Sequence, residues 1–346
     1  MSDRPVAYVM EQTLGSITHY FNLRRQDAVP NGGPRRWIPV QYQPGRLPWT
    51  VTGSYLARRQ LSSVIDQVDG VFMHTTTIAP ASVDYFFRKP TVLSSDGTPA
   101  NKRHMRSAYG LKPESRAAEL AKRSFYRAIF SRAAGFVAWS TWTKASFVED
   151  YGCKSEDVAV IPPGIDLDLF APGDRNHELP RLLFVGGDFI RKGGDLLLDV
   201  FRRRLRGRAE LVLVTGADVK EEPGVTVHRN VSANSDTLCR LYATSDIFVL
   251  PTRADCYSLV CMEALAAGLP IVTTRVGGIP DLVREGDTGF VVSIDDVAAL
   301  GDALESLVVD REKRERMSVV CREEALERFG AQDNARRLFE FVRSRC

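Results

Sequence analysis

Apolar runs of strand character alternate with helical segments along the whole chain. In the first half the apolar runs lie near 6–10, 70–74, 91–95, 135–139 and 158–161, and helices are predicted near 16–26, 54–67, 79–87, 114–133 and 142–150. A second alternating set begins at 181. Because buried apolar strands separated by helices are typical of a parallel sheet covered on both faces, the pattern predicts a doubly wound α/β architecture.

Chain length and a polar linker indicate two domains. The 346 residues, of which 44% are hydrophobic, can bury two cores of about 150 residues each. A proline-rich segment, 162–172, closes the first alternating set, and the polar linker 173–180 leads into the second. We therefore expect an N-terminal domain over 1–172 and a C-terminal domain over 173–330.

In the second domain, a strand, a loop and a helix carry two carboxylates around the helix start. Asp246–Pro251 is typical of a buried parallel strand, and Ser258–Ala267 is predicted as a helix that stops at Gly268. Asp255 lies in the loop and Glu263 in the second helical turn, roughly 7–8 Å further along at about 1.5 Å rise per residue.

The start of this helix favours an anion. The backbone N–H groups of Tyr257, Ser258 and Leu259 lie at the positive end of the helix dipole, where a diphosphate binds well. Asp255 can then accept hydrogen bonds from sugar hydroxyls, and Glu263 from a ribose on the far side of the diphosphate. The spacing therefore suits a nucleotide sugar.

The D-x7-E spacing, followed by Ala264-Leu-Ala-Ala-Gly-Leu-Pro270, resembles the E-x7-E motif of the retaining family 4 glycosyltransferases. Asp255 replaces the usual glutamate, and two glycines of the motif are Cys256 and Ser258 here. The resemblance implies the GT-B fold, in which two Rossmann-like domains face each other across a cleft. It also implies a donor on the C-terminal domain, an acceptor on the N-terminal domain, and a last helix, about 331–346, that packs back on the first domain.

The loop after the strand 182–185 is similar to the diphosphate loop of this family. It contains Gly186 and Gly187, and Lys192 stands where the family has its lysine. Gly187 stands where the family has an arginine, so we expect Arg191 to supply the second positive charge. A solvated pair of charges at a helix start remains the alternative for these two cations.

Two further glycine-containing loops are predicted at the donor site. Gly277 and Gly278 follow a strand and allow the backbone to approach a phosphate closely. Gly15 and Ser16 follow the first strand and open a helix, similar to the family's glycine loop but without its double glycine.

Two strand ends in the first domain carry acceptor-side candidates. Asp96 stands where the family commonly has a histidine, and we expect it to receive an acceptor hydroxyl, since an aspartate repels phosphate. His74 ends another strand, and both a catalytic and a structural role are open for it. Together with Asp255, Lys192 and Arg191 they form the predicted catalytic set.

A D-x-D pair, Asp166 and Asp168, matches the metal motif of the other glycosyltransferase fold. It lies in the linker region, however, and Lys192 with Arg191 can neutralise a leaving diphosphate without an ion. We expect no metal and no cofactor, with a nucleotide sugar as co-substrate and a UDP-sugar favoured over a GDP-sugar.

The predicted function is transfer of a hexose-type sugar, with retention, to a hydroxyl of a glycan, lipid or small molecule in polysaccharide or glycoconjugate biosynthesis. Two alternatives stay open, because Gly187 and Asp255 depart from the family pattern. One is a catalytically silent GT-B subunit that supports a partner, and the other is a nucleotide-sugar epimerase of the same fold.

A cytoplasmic location is expected, since no apolar run reaches about eighteen residues and no signal peptide precedes the first strand. Basic residues concentrate over 102–132, interleaved with aromatic residues such as Phe125 and Phe130. This composition allows either an amphipathic helix on an anionic inner membrane face or a solvated helix packed on the sheet. We expect no nucleic-acid partner.

Overall fold

The computed structural model of the chain describes residues 4–13, 15–28, 33–42 and 48–346. Their contacts divide the chain into two compact units. The first unit collects the described residues up to His104, Lys112–Gly164 and Ala331–Cys346, and the second collects Met105–Leu111 and Ile165–Gly330.

Strands and helices alternate through both units. The strands of the described residues are β1 (Val6–Glu11), β2 (Arg35–Val40), β3 (Gly70–His74), β4 (Thr91–Ser95), β5 (Gly135–Ala138), β6 (Val158–Val160), β7 (Arg181–Val185), β8 (Glu210–Val214), β9 (Val225–His228), β10 (Ile247–Leu250), β11 (Ile271–Thr274) and β12 (Gly289–Val292). The α-helices are α1 (Gly15–Arg25), α2 (Trp49–Ser62), α3 (Arg116–Phe130), α4 (Thr141–Glu149), α5 (Gly194–Val200), α6 (Asp236–Ala243), α7 (Leu259–Ala266), α8 (Val297–Val309), α9 (Arg311–Arg328) and α10 (Ala331–Arg345).

Each unit is built on one parallel six-stranded sheet. The strand order is β2-β1-β3-β4-β5-β6 in the first unit and β12-β11-β10-β7-β8-β9 in the second. Central strands such as β3 and β10 are buried along their whole length, which explains their continuous apolar sequence. The prediction of a doubly wound α/β fold is confirmed.

The chain changes unit on either side of the short segment Met105–Leu111, and again at 164/165 and at 330/331. The sequence placed the boundary between the domains at 172/173. The Ile165 N–H donates to the Phe329 carbonyl at 2.7 Å, and Phe170 packs edge-on against Tyr242 with ring centroids 5.5 Å apart. These contacts place the segment after Gly164 in the second unit. In the first unit, α10 contributes Leu338, Phe339 and Val342 to an apolar cluster that also contains Tyr8 and Phe72.

Two local features differ from the sequence prediction. β2 was not predicted, because Pro39 and two arginines hide its strand character; it is an edge strand, where the missing proline N–H need not break a ladder on both sides. The segment predicted as a helix over 79–87 forms a 3₁₀ helix, Pro80–Phe87.

A buried aromatic cluster in the first unit contains His19, His74 and Trp139. The His74 ring stacks on Trp139 with centroids 5.0 Å apart, and His19 packs edge-on against both rings at 4.8 and 4.9 Å. Within the described part of the chain, both ring nitrogens of His19 and Nε2 of His74 have no hydrogen-bond partner. Burial lowers the pKa of His74 to about 3 and holds the pKa of His19 well below its ordinary value of 6.5.

This cluster predicts loss of stability in acid. In the unfolded chain both histidines take up protons below their ordinary pKa, whereas in the folded chain they stay neutral until the pH falls much further. The free energy of unfolding therefore decreases as the pH falls below 6.5, and above pH 8 the effect is absent. At pH 5 we expect a cost of about 2 kcal/mol from His74, and His19 adds a cost in the same direction.

The replacement His19→Phe keeps the ring and removes the titration, so its stability gain over the native chain should be larger at pH 5 than at pH 8. Urea unfolding followed by tryptophan fluorescence measures this in the first unit, because all four tryptophans lie there. The exposed His104, changed to Gln, is the control. An equal gain for His19→Phe at both pH values would contradict the titration.

Candidate active site

The predicted helix start after β10 is present and capped. Ser258 is the N-cap of α7, and its hydroxyl accepts a hydrogen bond from the Cys261 N–H at 3.4 Å. Among the described residues, no hydrogen bond is donated by the backbone N–H groups of Ser258 and Leu259. These two donors lie at the positive end of the helix, so they can bind an anionic group. The Tyr257 side chain, just before them, is buried.

Lys192 and Asp255, predicted from separate motifs, form an ion pair. Nζ of Lys192 contacts Oδ2 of Asp255, and the two side chains are 15% and 12% exposed. Lys192 belongs to the loop after β7, and Asp255 belongs to the loop after β10. Because the two strands are neighbours in a parallel sheet, their carboxyl ends bring the two loops together.

Arg191 is anchored beside this pair. Its Nε donates to Oδ2 of Asp188 at 2.9 Å, and its Nη1 donates to the carbonyl oxygen of Ala254 at 2.7 Å. The guanidinium carbon also lies 4.7 Å from the centroid of the Tyr109 ring. Arg191 therefore holds the backbone directly before Asp255, and its predicted contact with a diphosphate stays a prediction.

Close backbone packing sets the position of the Asp255 loop. Gly277 has a φ of 58°, and a Cβ there would overlap the Asp255 carbonyl oxygen. Its neighbour Gly278 donates its N–H to the Cys256 carbonyl at 2.8 Å. The glycine pair predicted to approach a phosphate thus approaches the backbone of the loop that carries Asp255.

The two predicted glycines after β7 have different surroundings. A Cβ on Gly186 would lie 2.9 Å from the Phe184 ring and 3.1 Å from Cβ of Lys192. A Cβ on Gly187 would have no atom within 4 Å in the part of the chain that the structure describes, its chain neighbours aside. The position where the resemblance implies an arginine therefore has room for a side chain.

Glu263 is enclosed, and the residue is only 3% exposed. Burial raises the pKa of Glu263 to about 7. Its Oε2 has no hydrogen-bond partner within the described residues. A buried acceptor without a donor costs about 1–3 kcal/mol of free energy, so a hydroxyl that donates a hydrogen bond to this oxygen would remove that cost.

The acceptor-side candidates lie at the carboxyl ends of strands in the first unit. Asp96 follows β4 and pairs with Nζ of Lys102 at 3.1 Å, while its backbone carbonyl accepts from the Thr143 hydroxyl at 2.7 Å. His74 lies inside the aromatic cluster, and its Nδ1 is 3.2 Å from the Ser94 hydroxyl.

The predicted glycine loop after β1 leads directly into α1. Gly15 is the first residue of this helix, and a Cβ at its position would have no atom of the described residues within 4 Å, its chain neighbours aside. Ser16, the next residue, is half-buried. The start of α1 therefore has open space beside its backbone, and the predicted contact of these two residues with a donor stays a prediction.

A carboxylate that was not predicted lies at the end of β1. Glu11 is 4% exposed and accepts hydrogen bonds from the hydroxyls of Thr13, Tyr42 and Thr75. Burial, and then the Glu11 charge, raise the pKa of Tyr42 above its ordinary range. An acid as the last residue of a buried parallel strand was the sequence feature that could have indicated it.

Arg253, also not predicted, ties the loop after β10 to its surroundings. Its Nη1 and Nη2 contact the two oxygens of Asp195 at 2.7 and 3.0 Å, and its Nε contacts Asp295 at 2.7 Å. A bidentate arginine–carboxylate pair holds a fixed geometry, so the backbone on this side of the site is braced by charge as well as by packing.

No group of three or more histidine, cysteine, aspartate or glutamate side chains suited to a metal ion occurs in the described residues. Oδ1 of Asp166 instead accepts a hydrogen bond from the Leu169 N–H at 3.1 Å.

Comparison with known proteins gives matches in both halves of the chain. The family Glycosyltransferase Family 4 matches residues 17–169, and the family Glycosyl transferases group 1 matches residues 179–310. A D-inositol 3-phosphate glycosyltransferase of Nocardia farcinica is 28% identical over 85% of this chain and 72% of its own length. A GDP-mannose-dependent alpha-(1-6)-phosphatidylinositol monomannoside mannosyltransferase of Mycobacterium tuberculosis is 29% identical over 59% of this chain and 60% of its own length.

Solved structures share the fold along the full chain. Sucrose-phosphate synthase of Thermosynechococcus elongatus superposes with a TM-score of 0.77 at 18% identity, covering 99% of this chain and 98% of its own. A glycosyltransferase of Rickettsia africae gives 0.75 at 14% identity, with 100% and 99% covered. The fold thus resembles GT-B glycosyltransferase structures. The two family matches and the sequence relatives identify the chain as a glycosyltransferase, in which residues 17–169 match the family 4 model and residues 179–310 match the group 1 model.

Proposed function

We propose that this glycosyltransferase moves a hexose-type sugar from a nucleotide-diphosphate donor to an acceptor hydroxyl, with retention of configuration and without a metal ion. The observation that carries the proposal is the Lys192–Asp255 pair beside the capped start of α7. A cation, a carboxylate and N–H donors that make no hydrogen bond among the described residues therefore lie in one loop cluster of the second unit. Groups of these kinds bind a sugar diphosphate.

Each group has a separate task. Lys192 and the N–H groups of Ser258 and Leu259 hold the diphosphate and stabilise the charge that develops as the sugar leaves. Arg191 adds a second positive charge from the same loop. Asp255 accepts hydrogen bonds from sugar hydroxyls and stabilises the positively charged, sugar-like transition state. Asp255 and Lys192 also neutralise each other, so neither is an isolated buried charge.

On the acceptor side we propose Asp96 as the group that receives the acceptor hydroxyl, and His74, at the end of the neighbouring strand β3, as a second catalytic candidate. The leaving phosphate then takes the acceptor proton. The acceptor class is a glycan, a lipid or a small molecule; relatives named for inositol phosphate and for phosphatidylinositol mannoside support a polyol headgroup. As the donor we favour a UDP-sugar over a GDP-sugar.

The test is incubation of the protein with a panel of UDP- and GDP-sugars and candidate polyol acceptors, measuring nucleotide release and the anomeric configuration of the product. Product with the donor's configuration supports the proposal, and product with the opposite configuration overturns the retaining mechanism. Nucleotide release with no product in any acceptor series would indicate hydrolysis or epimerisation chemistry instead.

For Asp255→Asn we expect turnover to fall about tenfold or more, because one contact to the transition state is lost. The affinity for the nucleoside diphosphate should stay the same or increase. The reason is that the change removes a charge felt by the sugar and releases Lys192 toward the diphosphate. Steady-state kinetics and calorimetry with the free nucleotide separate the two effects. Equal losses in turnover and nucleotide affinity would assign Asp255 a purely structural role.

For Lys192→Ala we expect turnover to fall about a hundredfold, because one preorganised positive charge at the leaving group is lost. The exposed lysine of the same unit, Lys220, changed to Ala, is the matched control and should keep full activity. Native activity should also survive EDTA. Full activity of the Lys192 variant, or loss of native activity in the chelator, would contradict this mechanism and return attention to Asp166 and Asp168.

We further propose that α3 binds to the inner, cytoplasmic face of an anionic membrane. Only Tyr126, Ile129 and Phe130 are buried in this helix, while Leu120 and Phe125 are 56% and 51% exposed beside basic residues. Exposed apolar and basic side chains on one helix are typical of interfacial binding. No described helix has the length and hydropathy to span a bilayer, so such contact would be peripheral.

Cosedimentation with anionic liposomes should show binding at low salt that weakens at moderate salt, worth about 1 kcal/mol per basic residue near the surface. The variant Phe125→Ser should bind less. Val319→Ser, a change at a similarly exposed apolar residue of the second unit, should bind like the native chain. No binding at low salt would leave a soluble acceptor as the better proposal.

A further inference from the structure

A short segment from the first half of the chain belongs to the second unit. Met105–Leu111 has its contacts there, whereas the chain up to His104 and the chain from Lys112 onward belong to the first unit. Met105, at the start of the segment, is only 5% exposed. None of the motifs that predict the donor site includes these residues.

Backbone hydrogen bonds give this segment a defined turn. The N–H groups of Tyr109 and Leu111 both donate to the Arg106 carbonyl oxygen, at 3.1 and 2.9 Å. The Gly110 N–H donates to the Ser107 carbonyl oxygen at 3.0 Å. Gly110 has a φ of 68°, a left-handed conformation that favours glycine, and it ends a short 3₁₀ helix. An ordered turn therefore presents the side chain of Tyr109.

The Tyr109 ring covers the guanidinium group of Arg191 in the loop after β7. The guanidinium carbon lies over the ring, 4.7 Å from its centroid. The face of an aromatic ring attracts a cation, and the attraction becomes stronger as water is excluded. The Arg191 side chain is only 14% exposed, so the contact holds its guanidinium in place.

Two of the three guanidinium nitrogens of Arg191 have partners in the protein. Nε donates to Oδ2 of Asp188 at 2.9 Å, and Nη1 donates to the Ala254 carbonyl oxygen at 2.7 Å. Within the described residues, Nη2 donates no hydrogen bond. A planar group that is fixed through two nitrogens and one face directs its third nitrogen in a single direction. Nη2 is therefore available to an anionic ligand.

We infer that Tyr109 is a positioning residue for the donor: its ring holds Arg191 so that Nη2 binds the terminal phosphate of the nucleoside diphosphate. The inference rests on the proposed function, in which Arg191 adds a second positive charge beside Lys192. It gives the Met105–Leu111 segment a part in donor binding that no donor-site motif contains.

Ordering of Arg191 before the ligand arrives explains why the ring affects affinity. Arginine has a long, flexible side chain, and fixing such a side chain on binding lowers the affinity. Because Tyr109 already restricts Arg191 in the free protein, less freedom is lost when the diphosphate binds. The ring also excludes water from one face of the guanidinium, which strengthens its attraction to a phosphate. Loss of the ring should therefore weaken binding of the diphosphate.

The experiment is calorimetric titration of the whole protein with UDP, GDP, UMP and GMP. The monophosphates lack the terminal phosphate and are the ligand controls. For Tyr109→Leu, which keeps apolar bulk without an aromatic face, we expect affinity for the diphosphate to fall about fivefold, the effect of one partly exposed cation–π contact. Affinity for the monophosphate should stay the same. Tyr109→Phe keeps the ring and should bind the diphosphate within about twofold of the native chain.

A double-mutant cycle with Arg191→Gln decides whether Tyr109 acts through Arg191. In that background, Tyr109→Leu should cause no further loss of diphosphate affinity. Leu111→Ala changes a residue of the same segment that is 52% exposed; it is the matched control and should bind like the native chain. If Tyr109→Leu weakens binding equally in both backgrounds, or equally for diphosphate and monophosphate, Tyr109 acts only on the fold and the inference is overturned.

The remaining outcomes separate this inference from the proposed function. Tight diphosphate binding that Tyr109→Leu leaves unchanged overturns the inference and leaves the nucleotide site standing, as does native affinity in Arg191→Gln. Failure of both diphosphates to bind the native chain overturns the site and the inference together. If Tyr109→Leu does not fold, Tyr109→Gln, which also removes the ring, takes its place in the cycle.

Discussion

The donor-side site depends on close backbone packing around the loop that follows β10. Gly193, with a φ of 77°, lies where a Cβ would overlap the Pro251 carbonyl oxygen, and Gly277 lies in the same way on Asp255. A side chain at Gly193 would push apart the loops after β7 and β10, and a side chain at Gly277 would push apart the loops after β11 and β10. Because these loops carry Lys192, Asp255 and the start of α7, the relative positions of these groups depend on the two glycines.

The two carboxylates of the motif, Asp255 and Glu263, have different electrostatic surroundings. Asp255 forms an ion pair with Lys192, whereas Glu263 is buried and its Oε2 has no hydrogen-bond partner among the described residues. These two acids, eight positions apart, therefore have different surroundings, and different surroundings are how one fold assigns different tasks to like groups. The paired acid suits contact with a charged transition state, and the enclosed acid suits binding of neutral hydroxyls.

The first unit uses the carboxyl ends of its strands in a comparable way. Asp96 has Lys102 as an ion-pair partner, and Glu11 has three hydroxyls around it. Both acids are therefore compensated, whereas the aromatic cluster of His19 and His74 leaves ring nitrogens without partners among the described residues. We therefore expect the acid sensitivity of this unit's free energy of unfolding to come mainly from the two buried histidines.

Local sequence patterns determined the parts of this protein that depend on neighbouring residues, and tertiary structure alone decided which distant groups meet. Alternating apolar runs indicated the parallel strands, and the serine before the helix with a glycine after it indicated α7, because burial and capping are set within a few positions. β2 escaped detection, since an edge strand tolerates a proline that argues against a strand in sequence. Lys192 and Asp255 were each predicted, but their pairing follows from the adjacency of β7 and β10 in the sheet. The hydrogen bond from the Tyr242 hydroxyl to the Val260 carbonyl depends on how α6 packs against α7, and nothing in either helix sequence specifies it. Sequence thus determined which residue types stand at the strand ends and helix starts, and the packing of the strands and helices determined which of them form ion pairs and hydrogen bonds.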